Sequence, residues 1–363
     1  MEERVVFDFT EIDVYDVDEL QYILQNNKRK HYTVGAAANG KIIVSIVCND
    51  NTVFDCIYRL KEIDDIHTML KKGEPLDLRG CFINGFSLGR YDEYPLLDFN
   101  ASFSFWEGDI SFVGATFDDG ANFWGANFGN GNVKFDKADF CNSNVIFDYT
   151  NFGDGNVSFW CSTFGNGHIG FEFATIGNGD VKFTGARFGD GDVNFGGANI
   201  INGHVSFNDA TFGNGDFRFK NAQMDKVYFW DNKFKSNMYL SFDYINELII
   251  RDCTIEKTIK IDGFPQRLSF LNTVNLGHIY IDWENNKVLK AINNDNSVSN
   301  RDKANQFKML KENYHTIGDY AFEDKAYRAY MEYKTRETWL TRLLKVFYWI
   351  GGYGTKPGSI ILT

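Results

Sequence analysis

The sequence predicts a mainly β fold: a four-sided parallel β-helix with widened coils of about 24 residues, closed by an N-terminal α+β cap and a C-terminal helical pair. Three observations carry this. A leading Phe recurs every 12 residues, at Phe123, Phe135, Phe147, Phe159, Phe171, Phe183, Phe195, Phe207 and Phe219. Five residues after each comes a second apolar residue, from Phe128 and Phe140 to Phe212 and Met224, with a small residue such as Ala126, Thr150 or Ala198 two before it. A Gly-x-Gly turn separates most units, as in Gly153-Asp154-Gly155 and Gly189-Asp190-Gly191. A short period held this long is the mark of a solenoid, because each unit can bury its apolar face only against its neighbours.

Composition agrees with that reading. The 363 residues include 35 Phe and 34 Gly against 4 Pro, and an apolar fraction of 44% separates the chain from disordered Gly-rich sequences. A net charge of −12 disfavours direct binding of nucleic acid or of an anionic membrane by the chain as a whole, whereas a basic partner surface would match it. Cys48, Cys56, Cys81, Cys141, Cys161 and Cys253 form no C-x-x-C, so a reduced, cytoplasmic setting is expected. The start at Met1 shows no secretory signal, and no run reaches the roughly 18 apolar residues of a membrane helix.

Taken in order, residues 1–74 read as the α+β cap. Asp16 to Gln25 has helical spacing; Tyr32–Val34 and Lys41–Val47 read as strands joined by an Asn39-Gly40 turn, and Val53–Leu60 as a third. Glu62–Leu70 reads as a helix closed by Gly73 and Pro75. A solenoid needs such a cap, since an open coil end exposes apolar core and unpaired strand edges.

Residues 75–283 read as the β-helix. A five-residue beat opens it at Leu78, Ile83 and Leu88, Tyr91–Pro95 reads as a loop, and Phe112-x-x-Ala115-x-Phe117 starts the regular register. After Met224 the Gly-x-Gly insert is gone, but the five-beat continues through Val227-x-Phe229, Met238-x-Leu240 and Leu248-x-Ile250 to Ile279-x-Ile281. The 12-residue unit is therefore two five-residue faces plus two turn residues. A two-sided coil would crowd the Phe rings into a thin slab, so the side chains favour four sides with a central Phe column. Residues 284–300 are Asn-rich and read as a linker. Residues 301–363 read as a helical connector with Phe307, Leu310 and Tyr314 on one face, a break at Gly318-Asp319, and a basic amphipathic end. On that end Arg336, Trp339, Arg342, Lys345 and Trp349 are candidate partner or membrane contacts.

Ala126-Asn127-Phe128 and Ala138-Asp139-Phe140 match A-[DN]-[LF]-x-x, Ala198-Asn199-Ile200 and Ala222-Gln223-Met224 follow it with close substitutions, and here the chain resembles the pentapeptide-repeat proteins. That resemblance, over residues 76–283, implies a right-handed quadrilateral β-helix; the Gly-x-Gly corner insertions depart from it and imply wider coils. A second resemblance lies in Phe307–Tyr314, Gly318–Tyr320, Tyr327–Tyr330 and Tyr353-Gly-Thr-Lys-Pro357. These are similar to the connector that leads, in some bacterial pentapeptide-repeat proteins, into a two-helix potassium-channel-like pore. The chain carries no T-x-G-[YF]-G-type filter.

The resemblances imply a non-enzymatic scaffold or sensor module, the cytosolic part of a membrane-associated, ion-channel-like protein. Its expected partner is a protein or a second copy of itself, with membrane contact at the C-terminal end and no direct nucleic acid. The alternatives are a DNA mimic that binds DNA gyrase, dimeric through the C-terminal coil ends, and a free interaction scaffold. Turn chemistry accounts for the Gly-Asp-Gly-Asp corners without calcium. His168 and His204 share a turn position one and a half coils apart, so they make no metal pair. Trp106, Trp124, Trp160 and Trp230 are candidate contact points. No nucleophile–base pair, phosphate loop or carboxylate pair in a cleft is legible, so no catalytic, cofactor or metal residue is assigned.

Overall fold

The computed structural model describes residues 4–11, 29–36, 39–89, 94–283 and 286–336. The helical spacing at Asp16–Gln25 and most of the Tyr91–Pro95 loop lie outside them.

The chain is a mainly β solenoid of about ten stacked turns, with helices concentrated at its C-terminal end. At the N-terminus β2 (Arg29–Ala36), β3 (Lys41–Cys48) and β4 (Val53–Leu60) form the expected antiparallel meander. Asn39 and Gly40, at φ 62° and 71°, supply the left-handed pair that a tight hairpin requires. An unanticipated strand, β1 (Arg4–Asp8), lies parallel on the far edge of β4. The sheet turns Phe9, Val44, Ile46, Phe54 and Tyr58 into a core of their own, shared with Phe82 and Phe105 of the first coils. β4 continues into β5 (Cys81–Ser87) by parallel pairing of Arg59 with Cys81, so the cap covers the solenoid's first edge. Helix α1 (Ile63–Lys72) ends on left-handed Gly73 and turns Ile66 and Leu70 into the main solenoid core.

In the regular section the strands pair in parallel and are two residues long, apart from the longer Asn199–Asn208. Val133 pairs with Val157, Val145 with Ile169, Val157 with Val181 and Ile169 with Val193, each partner 24 positions on. The leading Phe rings follow the same register. Phe123 stacks on Phe147 at 5.0 Å, Phe135 on Phe159 at 5.0 Å, Phe159 on Phe183 at 4.8 Å and Phe171 on Phe195 at 4.7 Å. The second Phe of each unit forms further columns, as Phe128 on Phe152 at 5.2 Å and Phe164 on Phe188 at 5.1 Å. Units 12 residues apart meet edge to face across the core, as Phe123 with Phe135 at 5.5 Å.

The corner glycines are set by how closely coils approach. A Cβ on Gly153, at φ +60°, would stand 1.4 Å from the Gly129 carbonyl oxygen, and one on Gly155 1.9 Å from that of Gly131. Where the inserts drop out of the sequence the register shortens: Val205 pairs with Val227, Val227 with Leu248, and Leu248 with Leu268, at offsets of 22, 21 and 20.

The stretch expected as a linker is not structureless. It holds α2 (Lys287–Asn293), whose Val288, Ala291 and Ile292 are buried because they continue the solenoid core. Helices α3 (Asn300–Ile317) and α4 (Tyr320–Thr335) follow, meeting at left-handed Gly318 and capped by Asp319, which accepts the Phe322 N–H. Phe307, Leu310 and Tyr314 are buried in the same core. Among the described residues no helix is long and apolar enough to cross a membrane.

Candidate functional site

The nine leading Phe side chains, Phe123 to Phe219, are all essentially fully buried, so they hold the rod together and touch nothing outside it. The corners are equally committed. Asn132 Oδ1 accepts the Asn156 N–H, Asn156 that of Asp180, and Asp180 that of His204, at 3.0–3.3 Å. A second ladder runs Asn142, Asn166, Asp190, Asn214, and a third Asn144, His168, Asp192, Asp216. His168 is thus a rung: its Nδ1 accepts the Asp192 N–H. His204 sits on the other ladder with Nδ1 at 2.7 Å from Asp180. The Asn and Asp of the turns spend their side-chain oxygens on the backbone of the next coil. Among the described residues no three metal-ligating side chains converge.

The candidate tryptophans separate. Trp106 is corrected to a core residue: it is fully buried, because Ser104 Oγ accepts its indole N–H at 2.7 Å and so lets the ring leave water. Trp160 and Trp230 are exposed, with Lys137 over the first ring and Arg251 over the second. Trp124 belongs to a feature the sequence reading missed, an outer aromatic ladder along one corner. It runs Phe9–Phe103 (5.7 Å), Phe103–Trp124 (4.8 Å), Trp124–Tyr149 (5.3 Å) and Tyr149–Phe173 (5.0 Å). Phe103, Tyr149 and Phe173 have φ of 56°, 58° and 55°. Bulky residues rarely take that conformation.

Beside the ladder lie two carboxylates on consecutive coils. Asp148 Oδ1 accepts the Glu172 N–H at 2.8 Å, and Glu172 Oε1 accepts from Asn194 Nδ2. Burial first, and then the Glu172 charge, push the Asp148 carboxyl up to about 6. A carboxyl raised above its ordinary range holds its proton more tightly when folded, so stability is lost as pH rises through about 4 to 6. Asp148→Asn keeps the acceptor oxygen and removes the charge. At pH 8 it should raise the unfolding free energy by about 1–2 kcal/mol, with the difference gone at pH 4. Denaturant unfolding at the two pH values checks this; a variant less stable at pH 8 would contradict it.

The C-terminal joint is the third region. Asn313 of α3 offers its side-chain amide to the last coil as a substitute strand: Oδ1 accepts the Ile279 N–H at 2.8 Å and Nδ2 donates to the Ile279 carbonyl at 2.7 Å. Gln306 Oε1 accepts the Phe270 N–H at 2.7 Å, and the Tyr314 hydroxyl donates to the Ile281 carbonyl at 2.8 Å. These replace the pairing an open edge would lack. Asn313→Ala should cost about 1–3 kcal/mol, since it orphans two buried backbone groups; faster hydrogen exchange at Ile279 is the local readout. Arg336 is exposed, pairs with Glu332, and lies over the Tyr333 ring at 4.2 Å. Trp339, Arg342, Lys345 and Trp349 lie outside the described residues.

No family model, characterised protein or solved structure matches this chain. What the geometry offers is thus a rigid rod, a flank with an aromatic ladder and two carboxylates, and a helical pair fastened to the last coil.

Proposed function

We propose that this chain is a non-enzymatic scaffold or sensor module, the cytosolic part of a membrane-associated, ion-channel-like protein of the pentapeptide-repeat kind. In this reading the rod is a right-handed, four-sided β-helix with about 24 residues per coil in its regular section. The 24-position register and the several Phe columns support that cross-section.

The observation that carries the functional reading is the joint. Asn313, Gln306 and Tyr314 bind α3 to the last coil, and the Tyr333 hydroxyl donates to Asn293, tying α4 to α2. In this reading a segment attached to α4 would take its orientation from the rod. A force or partner acting on the rod would reach it through packed helices rather than a slack linker. The basic stretch with Trp339, Arg342, Lys345 and Trp349 would then lie at the membrane surface. The gyrase alternative is less well supported, because its dimer contact uses the end of the coil, and here α2–α4 pack on that end.

The decisive test is the gene's reading frame after codon 363. Two membrane helices with a filter motif there support the reading, and an immediate stop codon removes the channel and leaves the scaffold. A supercoiling assay in which stoichiometric protein inhibits DNA gyrase would promote the alternative instead.

A further inference from the structure

One corner of the early rod is a residue short. Asp118, Asp119 and Gly120 are all that separates Phe117 from Ala121. The next corners carry one more residue, Gly129–Asn132 between Phe128 and Val133 and Cys141–Asn144 between Phe140 and Val145. Phe99 pairs with Ala121, and Ala121 with Val145, so the strands stay in register and the shortening falls on the corner. Gly120 absorbs it at φ +97°, drawn in beneath Asn144 so closely that a Cβ would stand 2.6 Å from the Asn144 carbonyl oxygen. The side-chain ladders end here. Asn166 and His168 donate their N–H groups to the Oδ1 atoms of Asn142 and Asn144, one coil below. Gly120, beneath Asn144, has no side-chain oxygen to continue the series. Among the described residues no acceptor meets the N–H of Asn142 or of Asn144.

The result is a groove of about 660 Å³ across three coils, with Asp98 on the first, Asp119 and Gly120 on the second and Asn144 on the third. Its volume lies within the roughly 300–1,000 Å³ of small-ligand pockets. Asn100 and Asn122 line it as well, and their Oδ1 atoms already accept the N–H groups of Ser102 and Trp124. Their Nδ2 groups remain as donors, beside the two backbone N–H groups. The acceptors are the Asp98 and Asp119 carboxylates. This mixture narrows the ligand. No lysine or arginine lines the groove, so an anion would meet two carboxylates without compensation. A cation would face the amide donors, and among the described residues no three metal-ligating side chains converge. An apolar ligand would bury all of these groups unpaired. A neutral polyol matches, since each hydroxyl both donates to a carboxylate and accepts from an N–H.

We propose that the groove between Asp98, Asp119, Asn122 and Asn144 is a binding site for a neutral carbohydrate. Neighbouring hydroxyls of the sugar donate to Asp98 and Asp119 and accept from the Asn122 amide and the Asn144 N–H. The site lies on the rod itself and does not depend on a pore. The same chemistry is offered by a free oligosaccharide and by a glycan displayed on another molecule.

The test presents the whole chain with neutral trisaccharides of glucose, mannose, galactose or N-acetylglucosamine, read by saturation-transfer NMR and then by calorimetric titration. Saturable one-to-one binding of at least one is expected, at roughly millimolar affinity because the groove is open. Asp98→Asn with Asp119→Asn should weaken it about fivefold or more, since charged acceptors make the stronger hydrogen bonds. Asn also tolerates the left-handed φ of 45° at position 98. Asn122→Asp keeps the oxygen that accepts the Trp124 N–H and removes the donor, and should weaken binding about threefold or more. Asp154→Asn with Asp190→Asn, the same charge change at other corners, should alter it less than about twofold. Coupling the bound sugar to albumin separates the sources. If the coupled form binds more tightly and free sugar displaces it, the ligand is a displayed glycan; equal affinity makes it a free oligosaccharide. The proposal is overturned if no trisaccharide binds, or if both groove variants bind like the wild type. It is equally overturned if the corner variant weakens binding as much, or if an end-blocked Gly-Asn-Gly peptide binds as tightly as the best sugar. None of these results bears on the reading frame beyond Thr363, so failure here is distinct from failure of the channel reading.

Discussion

Phe159→Ala is expected to lower the unfolding free energy by about 3–5 kcal/mol. The ring is fully buried and touches five others: Phe135 and Phe183 above and below at 5.0 and 4.8 Å, Phe147 and Phe171 edge-on at 5.6 and 5.9 Å, and Phe164 tilted at 5.6 Å. Each neighbour is fixed to its own short strand at the spacing of β pairing, so none can slide in to fill the gap. The cavity therefore stays, and the cost falls at the upper end of the range for a lost aromatic side chain. A solenoid adds a second effect. Its stability is a chain of nearest-neighbour terms, so weakening one central interface can let the two halves unfold separately. Denaturant unfolding followed by circular dichroism should show a lower midpoint and a shallower transition for Phe159→Ala. A loss under 1 kcal/mol would mean that the ring columns are not what holds the rod together.

The contrast between Phe159 and Phe173 shows what was legible in the sequence. Phe159 lies on the 12-residue beat, and a beat is a statement about burial, so its column could be read before any coordinates. The late coils were legible for the same reason: the loss of Gly-x-Gly after Met224 shows as a shortened register at Val227 and Leu248. Phe173 lies off the beat, next to Glu172, and its column is built from unlike residues: Phe103, Trp124, Tyr149 and Phe173 share no motif. The positive φ of Phe103, Tyr149 and Phe173 follows from corner geometry, which no residue type announced. An off-beat aromatic at a corner that elsewhere holds glycine was the available signal. Asn313 was hidden for a different reason. Its partners, the two backbone groups of Ile279, are 34 positions away and have no sequence mark of their own. Strand β1 and helix α2 were missed because each is short, and α2 sits in polar, Asn-rich sequence whose few apolar residues all turn inward.

The same polar stretch contains the second large effect. Asp295 is 1% exposed, and two solenoid arginines face it: Arg251 Nη2 at 4.0 Å from Oδ2 and Arg267 Nε at 3.8 Å from Oδ1. Its Oδ1 also accepts from the Ser297 N–H at 3.2 Å and the Ser297 hydroxyl at 2.6 Å, which fixes the turn between α2 and α3. Removing one partner of a buried charge group is costly chiefly because the others stay behind without compensation. Here Arg251 and Arg267 keep some access to water, and Glu247 lies 3.4 Å from Arg267, so the penalty is moderated. Asp295→Ala should therefore cost about 2–3 kcal/mol, below the range for a wholly enclosed pair. Because the lost contact joins the helices to the rod, hydrogen exchange should accelerate in α2–α4 before it does in the Phe columns. Adding Arg267→Ala should recover part of the loss, since it removes a charge that the first substitution strands. If the double variant instead loses the sum of both single effects, Asp295 and Arg267 act independently and the joint is held by Asn313, Gln306 and Tyr314 alone.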